Sequence, residues 1–194
     1  FRFEASAIAG CTTLCEAKVI IFDETFTDRI NAVKMTVDRC VAHYIFAGPN
    51  DRCPGYAHQL DDLIADAAHT EPDVIIRPED DAAIYFTSGT TGSPKGVHLG
   101  HRQLEFACYV ENRHHNQVHT DNFLCIPPLY HTGAKMHWFG NFIVGAKAVI
   151  LKGTSPEAIL SAVSDEQITI VWLLVPWAHD ILVAVENGDL ALSD

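Results

Sequence analysis

The chain has 194 residues, of which 48% are hydrophobic and 20% charged, a composition typical of folded globular proteins and not of disordered ones. Its formal net charge of −12 argues against a nucleic-acid partner, because no basic stripe is present to neutralise phosphates. No apolar run reaches membrane-spanning length, since the run at 168–177 is interrupted by Thr169 and Pro176. The six cysteines are scattered, which predicts reduced thiols and a cytoplasmic location.

Strands and helices are predicted to alternate along the first 81 residues. Residues 17–23 form a near-continuous apolar run, which is typical of a strand buried on both faces. Residues 25–40 carry apolar side chains at three- and four-residue steps, which predicts one apolar helix face. That face consists of Phe26, Ile30, Val33 and Val37. The further predictions are a strand at 42–47, a helix at 56–68 with Leu60, Leu63 and Ile64 inward, and a solvated connection at 70–81.

A loop of glycines and hydroxyl side chains follows a predicted strand at 82–86. Glycine lets a ligand approach the backbone closely, and successive free N–H groups can form a concave site for an anion. Lys95 ends the loop and adds a full positive charge on a mobile side chain. This composition predicts a site that holds a polyphosphate. The candidate ligands are Thr87, Ser88, Gly89, Thr90, Thr91, Gly92 and Lys95.

The Walker P-loop, G-x-x-x-x-G-K-[ST], is the obvious alternative for such a loop. It does not fit, because Lys95 follows Pro94 instead of glycine, and Gly96 stands where serine or threonine is required. Residues 97–99 are typical of a returning strand and not of a helix start. The sequence therefore predicts a strand–loop–strand hairpin around the phosphate site.

Residues 86–97 match the pattern [YF]-T-S-G-[ST]-T-G-x-P-K-G-V at every fixed position. This segment resembles the signature loop of the adenylate-forming superfamily, which includes acyl- and aryl-CoA synthetases, beetle luciferases and peptide-synthetase adenylation domains. The resemblance implies an enzyme that joins a carboxylic acid to ATP and passes the acyl group to a thiol, often that of coenzyme A. It also implies that the loop contacts the β- and γ-phosphates, with Lys95 as a catalytic residue and Thr91 helping to hold Mg²⁺.

A second motif, at 126–134, resembles the P-[LM]-[FY]-H-x-x-G segment of the CoA ligases and luciferases. Peptide-synthetase domains usually carry an acid here, suited to a substrate amino group, and this chain has none. The resemblance implies a fatty- or aryl-acid pocket, with His131 as a further candidate catalytic residue. The proposed pocket residues are Tyr130, His131, Gly133 and Trp138.

The remainder of the chain predicts further strand–helix–strand units and so an α/β fold with a mainly parallel sheet flanked by helices. The predicted helices are 102–115, 135–144, 156–164 and 176–187, and the predicted strands are 122–126, 146–151 and 169–175. The cluster His114, His115 and His119 is interpreted as a solvated helix end, because no carboxylate or cysteine partner at ligand spacing is identified.

By the same resemblance, residues 1–194 are expected to be a fragment of a large N-terminal domain, with its phosphate loop at 86–97 and no C-terminal domain. The family's magnesium-binding glutamate segment, ribose-binding aspartate and C-terminal lysine are not found, so the fragment alone is expected to be inactive. Three alternatives stay open: a non-catalytic nucleotide-binding module, a scaffold that has lost binding, and an adenylation domain that loads a carrier protein.

Overall fold

The structure is a computed structural model that describes residues 3–87 and 94–190. The chain divides into two compact units, Phe1–Gly100 and His101–Asp194. Among the described residues, no helix has both the length and the apolar character that crossing a membrane requires.

The first unit contains three helices and five strands. They are α1 (Ala5–Leu14), β1 (Val19–Asp23), α2 (Thr27–Val37), β2 (His43–Ala47), β3 (His58–Gln59), α3 (Leu60–Ala65), β4 (Asp81–Thr87) and β5 (Lys95–Gly100). The second unit contains four helices and three strands. They are α4 (His101–His115), β6 (Asn122–Cys125), α5 (Thr132–Val144), β7 (Lys147–Ile150), α6 (Pro156–Asp165), β8 (Ile170–Val171) and α7 (Val175–Glu186).

In the first unit, β1, β2 and β3 form a parallel sheet in that order. The predicted apolar face of α2 packs on this sheet, because Ile30, Val33 and Val37 share one buried cluster with Phe22 and Phe46. Strands β4 and β5 form a separate antiparallel pair. The periodicity of residues 25–40 therefore correctly predicted which helix face is buried.

In the second unit, β6 lies between β7 and β8, and all three strands are parallel. Alternate residues of the central strand serve opposite faces of this sheet, as strand geometry requires. Phe123 packs with Ala134 of α5, whereas Leu124 packs with Ile159 of α6. The predicted α/β fold with flanking helices is confirmed, as two three-stranded parallel sheets plus the hairpin.

The contact between α4, the residues just after it, and α5 combines the buried pair Cys108 and Met136, whose sulfur atoms are 3.9 Å apart, with a polar part. The buried side chains of Asn112, Gln117, His137 and Asn141, together with Gly140, are called the polar seam. Asn112 Nδ2 donates to Gly140 O at 2.9 Å, and Gln117 Nε2 donates to Asn141 Oδ1 at 2.6 Å. Asn141 Nδ2 in turn donates to His137 O at 2.6 Å. These bonds satisfy buried amide groups that would otherwise be costly to bury, whereas Asn112 Oδ1 finds no partner in the part of the chain that the structure describes.

The predicted helix at 56–68 was wrong in its start and its burial. Residues 58–59 form strand β3, and α3 begins only at Leu60. Gln59 ends the strand because its side-chain oxygen accepts from the N–H groups of the next turn, while its Nε2 donates to Gly48 O at 2.7 Å. Leu63 and Ile64 are 40% and 61% exposed instead of facing inward.

The predicted strand at 169–175 was also too long. Only Ile170 and Val171 pair with β6, and α7 begins at Val175, one residue before the predicted Pro176. Proline is well suited to the first turn of a helix because that turn does not need its N–H. The predicted stop at Gly188 is confirmed, since this glycine has a φ of 77° just after the helix.

The connection between α3 and β4 is irregular and solvated, as predicted. Its most exposed apolar part is Val74, Ile75 and Ile76, which are 70%, 83% and 63% exposed. Pro72 and Pro78 stand on either side of these three residues.

Candidate functional site

The predicted strand–loop–strand hairpin is confirmed. β4 and β5 are antiparallel, with Phe86 opposite Gly96 and Thr87 opposite Lys95. Directly opposed residues of an antiparallel pair place their side chains on the same face. Thr87 and Lys95, both predicted phosphate ligands, therefore occupy one face at the end of the hairpin, and both are exposed. The next helix begins only at His101, after the whole of β5, which distinguishes this site from a Walker P-loop.

The other predicted loop ligands lie between these two strands. Ser88, Gly89, Thr90, Thr91 and Gly92 fall outside the residues that the structure describes. Their assignment as phosphate ligands, and that of Thr91 as the magnesium ligand, stays a prediction.

A cavity of about 460 Å³ lies beside the hairpin. It is lined by Leu14, Cys15, Ile84, Pro94, Lys95, Gly96 and His98. Space here depends on Gly96, because a Cβ at this position would come within 3.1 Å of Ile84 Cγ2. Leu14 and Cys15 were not predicted to adjoin the phosphate loop, and no local pattern links residues some eighty positions apart in the chain.

The second predicted site segment connects β6 to α5. Tyr130 and His131 are exposed, and their rings are 4.5 Å apart between centroids. His131 is the N-cap residue of α5, and its carbonyl accepts from Lys135 N at 3.1 Å. The segment therefore presents two polar rings at the carboxyl end of the central strand, the edge at which parallel sheets hold ligands.

This one segment brings together Tyr130, His131 and Gly133. Gly133 also contacts a residue that was not predicted to belong to the site. A Cβ on Gly133 would lie 3.0 Å from Cη2 of Trp172, so the indole closes over the first turn of α5. Trp172 follows β8, 39 positions later in the chain (172 − 133), so only the fold could reveal this contact.

Trp138, the predicted substrate-tail residue, has a different set of neighbours. Its ring lies 5.1 Å from that of Phe139 and 5.2 Å from that of Phe142, and Phe142 is 60% exposed. His137, also on α5, adjoins Trp172, with ring centroids 6.4 Å apart. Trp138 stays a prediction as a pocket residue.

His137 is buried, and its ring stacks on Phe123 at 5.1 Å. Burial lowers the pKa of His137, an effect to which His115 adds and which the carboxylate of Glu111 partly opposes. The imidazole is therefore held neutral at neutral pH.

The interpretation of the histidine cluster at 114–119 missed a carboxylate. Glu111 lies one helical turn before His115, and the two side chains are 3.7 Å apart. The fold adds His137 from α5, whose Nε2 is also 3.7 Å from Glu111 Oε2. The spacing of Glu111 and His115 on one helix could have been noticed, whereas His137 could not, because it comes from another helix.

A family model described as "AMP-binding enzyme" matches residues 1–193. The chain is 30% identical over 135 residues to a medium-chain fatty-acid–CoA ligase of Escherichia coli (strain K12), covering 69% of the chain and 24% of that ligase. It is 28% identical over 179 residues to 4-coumarate–CoA ligase 2 of Solanum tuberosum, covering 90% of the chain and 31% of that ligase. The chain thus spans about a quarter to a third of the length of these relatives.

The fold is similar to that of solved structures. The crystal structure of ATP-bound MatB from Rhodopseudomonas palustris superposes with a TM-score of 0.77 at 22% identity, covering 93% of this chain and 34% of that one. At this level of identity the likeness is one of fold.

Proposed function

Because the chain belongs to the AMP-binding enzyme family, we propose that it forms part of an ATP-dependent ligase that joins a carboxylic acid to coenzyme A. A carboxylate oxygen of the acid attacks the α-phosphorus of ATP, which forms the acyl-adenylate and releases pyrophosphate. The thiol of coenzyme A then attacks the acyl carbonyl carbon, which forms the thioester and releases AMP and a proton. The relatives, named as fatty- and aryl-acid CoA ligases, support this reaction.

The hairpin is the observation that carries the proposal. It holds the side chains of Thr87 and Lys95 on one exposed face at the two ends of the signature loop. A hydroxyl donor and an ammonium placed there suit the β- and γ-phosphates of ATP, since charge-assisted hydrogen bonds to phosphate are strong. Lys95 then stabilises the negative charge that grows on pyrophosphate as it leaves.

The loop residues between the strands complete the proposed phosphate site. Backbone N–H groups and hydroxyls of Ser88, Gly89, Thr90 and Gly92 would donate to the phosphate oxygens. The hydroxyl of Thr91 is a hard oxygen donor, the type that Mg²⁺ prefers, and would hold that ion. An ion held there would supply positive charge that offsets the charge of the phosphates. No acid–base group is needed for the first step, because the carboxylate nucleophile is already ionised and needs chiefly to be positioned.

The segment at the start of α5 is the proposed pocket for the acid. Tyr130 and His131 present polar edges near the first turn, where Gly133 lets the indole of Trp172 pack against the backbone. Trp138 and Phe142 add apolar surface further along the same helix. We propose that His131 positions the carboxylate of a fatty or aryl acid here, the class of acid that the names of the relatives support.

The six cysteines support a cytoplasmic location. All of them are free thiols, and this is the state that a reducing compartment maintains.

The test is ATP–pyrophosphate exchange by the purified protein that contains this chain, with a panel of fatty and aryl acids. Lys95→Gln is expected to lower the exchange rate about a hundredfold or more, the loss typical of removing one donor to a developing charge. Lys152→Gln is the matched control, because Lys152 is an exposed lysine in a loop of the second unit. If none of the acids in the panel supports exchange while ATP still binds, the protein would be a nucleotide-binding module instead. Equal rates for Lys95→Gln and the parent would overturn the role of Lys95.

We expect residues 1–194 alone not to complete the reaction, because they span only 24–31% of the ligases named above. The region around the phosphate loop at 86–97 is proposed to be part of the N-terminal domain of the longer enzyme. Acyl-CoA formation by the isolated 194 residues would contradict this domain assignment, which the exchange assay on the longer protein does not test.

A further inference from the structure

Three metal-binding side chains converge outside the proposed phosphate and acid sites. Glu111 and His115 lie one turn apart on α4, and His137 comes from α5. The three ligand atoms lie within 4.8 Å of one another. Glu111 Oε2 is 3.7 Å from Nε2 of each histidine, too far for a hydrogen bond.

The spacing suits a shared ion better than direct contact. Ligand atoms arranged tetrahedrally around Zn²⁺, at the usual metal–nitrogen and metal–oxygen lengths, are about 3.3–3.5 Å from one another. Both Glu111–histidine distances are within a few tenths of an ångström of that range. The two histidine rings are 5.2 Å apart between centroids, so a small rotation of the exposed His115 ring would close the set.

The donor set defines the class of ion. Two imidazoles and one carboxylate suit Zn²⁺ and its neighbours Co²⁺, Ni²⁺ and Cu²⁺, whereas Mg²⁺ and Ca²⁺ prefer oxygen donors. The side chains of Glu111 and His115 are 37% and 35% exposed, and that of His137 only 6%. An ion can therefore enter from solvent and keep a water as a further ligand. On the side of the protein interior it would be coordinated by the buried imidazole of His137.

The side chains around His137 fix the orientation of its ring. The ring of His137 lies between Phe123, stacked at 5.1 Å, and Trp172, at 6.4 Å. Its Nδ1 is buried and finds no hydrogen-bond partner among the described residues, so the orientation of the ring depends on packing. Packing leaves Nε2 facing Glu111.

We propose that Glu111, His115 and His137 form a binding site for a divalent transition-metal ion of the Zn²⁺ class, which joins α4 to α5. Such an ion would tie the two helices together at the end of the polar seam. Neither the family resemblance nor the proposed ligase reaction requires it, so the two proposals succeed or fail independently.

The site is tested by titrating Co²⁺ into the metal-free protein that contains this chain and following the visible absorption of the bound ion. We expect one saturable site, and a weakening of at least about tenfold in His115→Gln and in Glu111→Gln, because even the partners that orient metal ligands are worth 10–100-fold. Both side chains are partly exposed, so these variants are expected to fold. His114→Gln is the matched control, since His114 is the neighbouring histidine, packed edge-on against His115 with ring centroids 5.1 Å apart, but not among the three ligands.

A second measurement separates this site from binding to the cysteines. Zn²⁺ is expected to raise the Tm of the parent and of His114→Gln, because an ion that binds only the folded state must stabilise it, and to raise the Tm of His115→Gln clearly less. The proposal is overturned if Co²⁺ produces no saturable signal. It is equally overturned if the spectrum shows thiolate-to-cobalt charge transfer, or if His115→Gln and His114→Gln bind alike.

Discussion

The two units bury a helix in chemically different ways. In the first, α2 meets its sheet mainly through apolar side chains, with Ile30 and Val37 packed on Phe22 and Phe46, and only at its end does Tyr44 Oη donate to Asp38 Oδ1, at 2.7 Å. In the second, α4 meets α5 through the polar seam, where buried amides bond to each other and to the backbone. Apolar packing is non-directional and tolerates repacking, whereas a buried hydrogen-bond network fixes one arrangement and is costly when incomplete. The contrast implies that the contact of α2 with its sheet contributes mainly to the free energy of unfolding. The contact of α4 with α5 mainly fixes the relative position of the two helices.

The largest loss of stability is expected when the apolar contact between α2 and its sheet is disrupted. Phe46→Ala removes a ring that is 0% exposed, and we expect the free energy of unfolding to fall by about 3–5 kcal/mol. Urea unfolding, with amide hydrogen exchange resolved for residues 3–87, measures this loss. Met35→Ala is the matched control on α2, because Met35 is 93% exposed and its truncation should change stability by less than about 0.5 kcal/mol. Similar losses in both variants would contradict the assignment of the core to the α2–sheet contact.

A smaller loss of stability is expected when the polar seam is disrupted. A Cβ on Gly140 would lie 2.5 Å from Asn112 Oδ1, so Gly140→Ala must push the two helices or the amide apart. We expect a loss of about 1–3 kcal/mol, as for other overpacked cores, again from urea unfolding.

Gly10→Ala is the control for this substitution. Gly10 is also within a helix, but a Cβ there would meet nothing within 4 Å, so stability should rise by up to about 1 kcal/mol through helix propensity. If both glycine variants gained stability, the seam would not be holding the helices at a fixed distance.

The smallest effect concerns a surface contact of the first unit. Hydrogen bonds from Lys34 and then from Tyr44 lower the pKa of Asp38 below its usual value of 3.8. The unfolded chain therefore binds more protons than the folded one in this range, so the contribution of Asp38 to stability is present above about pH 4 and is lost as the pH falls through the lowered value.

Asp38→Asn lacks this contribution at every pH. The stability difference between Asp38→Asn and the parent should therefore be small at pH 7, since the side chain is exposed, and should shrink as the pH falls below about 4. Thermal unfolding of both proteins from pH 7 to pH 3 measures it. A difference that is constant over this range would contradict the role of the charge.

Local patterns in the sequence predicted the features that depend on neighbouring residues. The apolar face of α2 follows from helical periodicity, and the hairpin follows from the way Lys95 is flanked by Pro94 and Gly96. Features that join distant positions were not predictable in this way. Trp172 over Gly133 and His137 beside Glu111 depend on how separate elements pack.

The error at 56–68 has a different cause. The hydrophobic pattern favoured a helix throughout, but Gln59 bonds to Gly48 O and to the first turn of α3, which makes residues 58–59 the edge strand of the sheet. Here a tertiary hydrogen bond outweighed local propensity.

The exposed segment Val74–Ile76 has a consequence for the behaviour of the protein at high concentration. Three consecutive β-branched residues that are exposed and lie outside any helix or strand favour intermolecular strand pairing and hence aggregation. Pro72 and Pro78 act as gatekeepers, because neither can donate to a strand ladder, and the neighbouring carboxylates repel another copy. Strand pairing between two copies should therefore extend over only a few residues. Self-association should increase with salt concentration, because salt screens the repulsion between the neighbouring carboxylates.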